Sequence, residues 1–254
     1  MLRVYHLFLG VILLALTPVG VKTLLPRFSG EVVENQSPGA TATQSKSPQT
    51  TPAITPTPKE GNTWNKILGN TPIPNGWEVI PCEGNAPLLC VSSQGELLGT
   101  VEIAIYPLKN NPKFQKNLTD AGIPVGSQVD YQSPEYQQKL LTALKAWVAD
   151  LNASFAQDRR TSYGNTILFS SHPPQQVPVG KLQGIRYGFI GIKPEGGVEE
   201  QHITHVTFDG KAMYVIATAF DPGSITGKFD QLEDLAIFQP YLSAIIADLK
   251  LPKN

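Results

Sequence analysis

Residues 199–220, EEQHITHVTFDGKAMYVIATAF, carry two runs rich in β-branched and aromatic residues on either side of Asp209-Gly210. Such runs favour strands, and Asp-Gly readily takes the positive φ angles of a two-residue hairpin turn. A turn centred there sets Phe208 opposite Lys211, Val206 opposite Met213, His205 opposite Tyr214, Thr204 opposite Val215 and His202 opposite Ala217. His202 and His205 are three residues apart, so on a strand they point to opposite faces and do not ligate one metal together. Glu199 and Glu200 read as the solvated start of the first strand.

The same alternation extends outward in both directions. NGWEVIP (75–81) reads as a short strand after a turn, and LLGTVEIAIYPL (97–108) alternates with Val101, Ile103 and Ile105 on one face. GNTILFSSH (164–172) and GIRYGFIGIKP (184–194) read as two further strands. Between these groups the period changes to 3.6. In SPEYQQKLLTALKAWVADLNASFAQDRR (133–160), Ser133 is placed to cap and Pro134 suits the first helical position. Tyr136, Leu140, Leu144, Trp147, Val148, Leu151 and Phe155 then form one apolar stripe. A closing helical stretch carries Leu232, Leu235, Phe238, Leu242, Ile245 and Leu249 on one side, with Pro240 expected to kink or divide it. Strand runs interrupted by helices give an α+β class: a central antiparallel β-sheet flanked by helices, formed by a single globular domain over residues 64–254.

The chain ahead of that domain is of a different kind. Residues 1–26 hold Arg3 and then 18 residues, Val4 to Val21, without a formal charge. At 1.5 Å per residue that run spans roughly 27 Å as a helix, which suits either a cleaved signal peptide or an uncleaved signal anchor. Residues 27–63 are rich in Pro, Thr and Ser. Within them the 28 residues from Asn35 to Asn62 include five prolines and no aromatic residue. Such a segment buries too little apolar surface to offset its backbone entropy and is expected to be a disordered linker. Net charge is −1 overall, and residues 61–254 hold 15 Lys+Arg against 18 Asp+Glu with no basic run, so nucleic-acid binding is not expected.

No stretch announces a catalytic set. Neither G-x-S-x-G nor S-x-x-K occurs, and Ser170-Ser171-His172 lies at a strand end, where adjacency in sequence makes no dyad. The glycines of YGFIGIKPEGG precede no helix, so a phosphate cradle is not expected. Glu233 and Asp234 complement the dipole of the last helix. Asp221-Pro222-Gly223-Ser224 reads as a turn, which accounts for its oxygens without a calcium ion. No catalytic residue, cofactor or metal ligand is therefore assigned.

The Gly76-Trp77 strand in GWEVIP, the hairpin HVTFDGKAMYVIATA and the closing IIADLKLP together resemble the PsbP-like fold, found in photosystem II extrinsic proteins and in a Ran-binding nuclear-import factor. The chain as a whole also resembles exported cyanobacterial proteins. The resemblance covers most of residues 75–252. It implies an α/β/α sandwich and an accessory or scaffolding role without catalysis. No metal-ligating motif of the photosynthetic members is recognisable here, so none of their metal-binding residues is carried over.

Two readings follow. The first is a non-enzymatic accessory or binding module, exported to the periplasm or thylakoid lumen or anchored by its N-terminal segment, which meets a protein partner and assists assembly of a complex. The second is an envelope hydrolase whose site gathers distant residues such as His172 or His205. Export also bears on Cys82 and Cys90, the two cysteines of the chain. In an oxidising compartment such a close pair forms a disulfide, here across a hairpin between strands around Val79 and Val91.

Overall fold

The computed structural model describes residues 61–126, 129–131, 133–164 and 166–252; the signal segment and nearly all of the linker lie outside these residues. One short helix, α1 (Trp64–Ile67), precedes three strands, β1 (Trp77–Pro81), β2 (Leu88–Ser93) and β3 (Glu96–Pro107). Helices α2 (Pro112–Asp120) and α3 (Pro134–Tyr163) follow. Strands β4 (Leu168–Val179), β5 (Leu182–Ile192), β6 (Val198–Phe208), β7 (Ala212–Phe220) and β8 (Lys228–Phe229) lead to helix α4 (Leu232–Ala247).

The eight strands form one sheet in the order β1-β2-β3-β8-β7-β6-β5-β4, with β3 also pairing β7. The expectation of a wholly antiparallel sheet is corrected at one place: β8 runs parallel to β7, pairing Ala219 with Lys228 and Phe220 with Phe229. The cause is local. β3 and β7 pair from Glu102 to Pro107 and then part, and the two residues of β8 enter the gap, with Phe229 opposite Gly99.

Alternation along the strands divides the core in two. Val101, Ile103, Ile203, Tyr214 and Ile216 pack with Trp64 of α1 and with Leu235, Phe238, Leu242, Ile245 and Ile246 of α4. Their neighbours on the same strands, including Val206, Phe208 and Met213, pack with Phe114 and Leu118 of α2 and with Leu140, Leu144, Trp147 and Val148 of α3. Residues of opposite parity face opposite sides of a strand, so α1 and α4 cover one face of the sheet and α2 and α3 the other. Ile105, expected with Val101 and Ile103 in the core, stays 41% exposed. Helix α4 runs unbroken through Pro240. Pro240 and Ala236, whose carbonyl the proline leaves without an amide partner, both lie on the exposed side, where water can take the bond.

The β6–β7 hairpin forms, but its register is two positions away from the expected one. Phe208 faces Met213, His205 faces Ile216, Thr204 faces Ala217 and His202 faces Ala219. Asp209 explains the difference. Its Oδ1 accepts from the amides of Lys211 and Ala212 at 2.7 and 2.8 Å, and its Oδ2 accepts from the Tyr214 hydroxyl at 2.9 Å. Asp209 also donates its own amide to Ala212, which moves the turn onto Gly210 and Lys211. Glycine, at φ +103°, then takes the first central position. Because the displacement is an even number of residues, every side chain keeps its expected face.

β1 and β2 pair with Val79 opposite Val91, and the Cys82–Cys90 disulfide closes their loop. The loop has further ties. Asn62 donates through Nδ2 to the carbonyls of Cys82 and Leu88 at 3.0 and 2.7 Å, and Trp64 Nε1 donates to Pro87 O at 3.1 Å. Asn62, placed in the linker by composition, is thus 1% exposed and part of the folded structure. Closing a loop of this length stabilises a fold by roughly 2.5 kcal/mol in the chain-entropy model. Replacing both cysteines by serine is expected to lower the urea-unfolding free energy by about that amount. An unchanged midpoint would show that Asn62 and Trp64 hold the loop by themselves.

Candidate functional site

Helix α3 is attached to the sheet at two places. Its first half, Leu140 to Val148, lies in the apolar core over Ile185, Val206, Phe208 and Met213. Its last turns are held by charge and ring contacts. Arg159 is 7% exposed; its Nε and Nη2 donate to Oε1 and Oε2 of Glu200, each at 2.7 Å, in a bidentate pair. Nη2 also lies 3.5 Å from Asp221 Oδ2, and Nη1 donates to Asp158 at 2.9 Å. Phe155, one turn earlier, packs against Phe189 at 4.2 Å between ring centroids and takes the Arg159 guanidinium over its face at 4.4 Å.

Glu200 is fully buried, so the expectation that it begins a solvated strand is corrected. It lies in β6 with His202, Thr204, Val206 and Phe208 on the face that α3 covers. His202 Nε2 lies 2.9 Å from Glu200 Oε2 and 3.4 Å from Asp221 Oδ2. Its ring stacks on Phe189 at 4.3 Å. Asp221 does form the expected turn, accepting at Oδ1 from Gly223 N at 2.6 Å, but its second oxygen belongs to this buried cluster. Glu200, His202 and Asp221 present ligand atoms within 4.8 Å of one another, a grouping that a divalent ion can use. Arg159 already neutralises the same carboxylate oxygens, so the charge that an ion would supply is provided by the chain.

Between the two attachments a cavity lies under α3, over a floor that includes Ala104, Ala217 and Ala219. A cross-strand row runs Glu102, Ala217, Thr204, Tyr187 over β3, β7, β6 and β5. Ala104 and Ala219 lie beside it, with Trp147, Leu151, Asn152 and Phe155 of α3 above, and the partly open cavity between them is about 170 Å³. His202 closes one end. At the other, Thr226 Oγ1 donates to Glu102 Oε2 at 3.4 Å, a long bond. The segment from Asp221 to Gly227 thus joins both ends, and Gly227 N donates to Thr100 Oγ1 at 2.9 Å to hold it against β3.

Burial raises the Glu102 carboxyl above the usual carboxylate range, and the Thr226 hydrogen bond offsets part of that. Burial and then the negative charge of Glu102 raise Tyr106. Tyr187 is raised further by its complete burial, against a hydrogen bond with Thr204.

Among the described residues, His172 and His205 do not join this site as a catalytic set. His205 is on the opposite face, as the odd spacing requires, and is 2% exposed with Nδ1 lacking a hydrogen-bond partner. Burial, and secondarily Arg186, push its imidazole down to about 3. His172 is exposed and lies within β4, an edge strand, rather than at its end, bordering a depression with Arg186, Gln201 and His202. Prolines 173 and 174 interrupt the pairing beyond it, which an edge strand tolerates.

No family model matches the chain, and no curated protein is similar to it. Among solved structures, the chain is similar to the solution structure of cyanobacterial PsbP from Synechocystis sp. PCC 6803. The TM-score is 0.35 at 8% identity, covering 76% of this chain and 90% of that one. A second likeness is to the crystal structure of LpqN, involved in cell envelope biogenesis of Mycobacterium tuberculosis, with TM-score 0.30, 12% identity, and 70% and 79% of the two chains covered. The first of these is a member of the family that the sequence resembles.

Two outcomes test the electrostatics. Arg159→Met strands two buried carboxylates without their cation and is expected to cost about 3–5 kcal/mol of stability, with the double variant Arg159→Met/Glu200→Gln recovering part of the loss. Equal destabilisation of the single and double variants would show that the pair is not coupled. His205, neutral in the fold and basic when unfolded, contributes stability that is complete above about pH 6.5 and is lost as pH falls toward 3. The His205→Leu variant should show a flatter decline in unfolding free energy between pH 7 and 5, by up to about 2 kcal/mol.

Proposed function

We propose that this chain is an exported, non-catalytic binding module that takes an apolar group into the cavity beneath α3, as an accessory to a protein complex of the envelope or thylakoid lumen. The observation that carries the reading is the cavity itself: an alanine floor of Ala104, Ala217 and Ala219 under an aromatic and aliphatic roof. Its volume of about 170 Å³ is close to that of an apolar cavity of roughly 150 Å³ that accepts benzene. A single ring or a short alkyl chain is therefore the right size, whether it belongs to a free molecule or to a side chain of the partner.

Export is supported by the uncharged run after Arg3 and by a disulfide that an oxidising compartment preserves. Among the described residues no helix is long and apolar enough to cross a membrane. The hydrolase reading has less support. Ser224 Oγ donates to Thr226 O at 2.7 Å, and His202 Nε2 faces two carboxylates rather than a hydroxyl. His172 and His205 lie on an exposed edge and on the far face of the sheet.

The cavity reading is tested by titrating the purified chain with benzyl alcohol and following methyl resonances. Shifts are expected at Ala104, Val215 and Ala217. The Ala217→Leu variant, whose added carbons occupy the cavity, should lose those shifts and keep a melting temperature near that of the parent. Shifts that persist in Ala217→Leu, or that scatter over the surface, would overturn the reading.

A further inference from the structure

Resting on that cavity reading, we propose that the ligand is an amine: its ammonium group lies against Glu102 and its apolar body lies over Ala104 and Ala217. The carboxylates at the two ends of the cavity are treated differently by the chain: Glu200 and Asp221 are buried, and Glu102 is half-buried. Glu200 and Asp221, behind His202, share the guanidinium of Arg159. Glu102, which faces the cavity, has the long Thr226 hydroxyl contact, and no lysine or arginine is among the residues that line the space. A half-buried carboxylate loses its water when an occupant covers it, and that desolvation is unfavourable unless the occupant brings a counter-charge.

The walls suit such an occupant. Tyr106 and Trp147 line the same space, and the faces of aromatic rings attract organic cations. A carboxylate ligand would meet Glu102 with like charge. A neutral ligand would leave the carboxylate uncompensated.

Several elements bring groups to the cavity that Glu102 lines. β3 contributes Tyr106, β6 contributes Thr204 and His202, and β5 contributes Tyr187. From α3 come Trp147, Leu151, Asn152 and Phe155, none of which titrates, and the 221–227 segment adds Ser224 and Thr226. Burial raises the Glu102 carboxyl, so amine affinity should weaken as pH is lowered into the range where Glu102 takes up a proton. A Glu102 variant tests whether that carboxyl carries the dependence.

The experiment compares benzylamine, benzyl alcohol and benzoate on the full chain, read by the methyl shifts of Ala104 and Ala217 and by melting temperature. Benzylamine is expected to bind about tenfold more tightly than benzyl alcohol, as an ionic hydrogen bond warrants, with benzoate weakest. In Glu102→Gln the amine advantage should disappear while benzyl alcohol still binds, and the unliganded variant should melt at or above the parent. Benzyl alcohol or benzoate equalling benzylamine in the parent would overturn the amine assignment and leave the cavity reading standing. An amine advantage that survives Glu102→Gln would overturn it too, since the ammonium would then lie elsewhere. Failure of all three compounds to shift the cavity methyls would overturn both.

Discussion

The bidentate pair between Arg159 and Glu200 fixes the far end of α3, and the shape of the site depends on it. A helix of 30 residues is longer than the apolar patch under its first half can hold down. Part of the floor under the middle of the helix is Ala104, Ala217 and Thr204, which give little area to bury. The helix nevertheless stays against the sheet, because Phe155 and Arg159 reach partners on β5, β6 and the segment after β7. The unfilled stretch between the apolar and ionic attachments is the cavity.

This arrangement explains why polar residues are buried at one end of an otherwise apolar interface. Two carboxylates and an imidazole away from water are costly unless each is matched. Here one guanidinium serves both acids, and the imidazole is aligned by the same oxygens and stacked on Phe189. The cluster is better understood as a fastening that sets the height of α3 above the sheet than as a set of reacting groups. At the opposite end Glu102 has no such match among the described residues. That asymmetry carries the assignment of ligand charge.

Several of these features were legible in the sequence. Phe155 and Arg159 are one turn apart, so Arg159 extends the apolar stripe of α3, and an arginine on a buried stripe implies a buried acid. Glu200 and His202 share strand parity with Val206 and Phe208, which places both on the face that a helix must cover. The partner itself was not legible. Arg159 and Glu200 are 41 residues apart, and Arg159 and Asp221 62, distances over which no local period operates. The turn at Asp209 failed differently: Asp-Gly was read for its backbone preference, whereas the Asp209 carboxylate was drawn into hydrogen bonds with Lys211, Ala212 and Tyr214.

What the sequence determined by itself is what short-range physics governs. Residue alternation and helical spacing decided which segments became strands and helices and which side of each is buried, and an even-numbered change of hairpin register left those faces intact. The closeness of Cys82 and Cys90 on facing segments decided their pairing. Tertiary structure decided the rest: how the strands are ordered, where β8 enters between β3 and β7, and which carboxylates Arg159 meets. It also decided that Ala104, Ala217 and Ala219, ordinary small residues of separate strands, lie together under a helix that cannot descend to fill the space. A cavity is a property of what several elements leave empty, and no single segment encodes it.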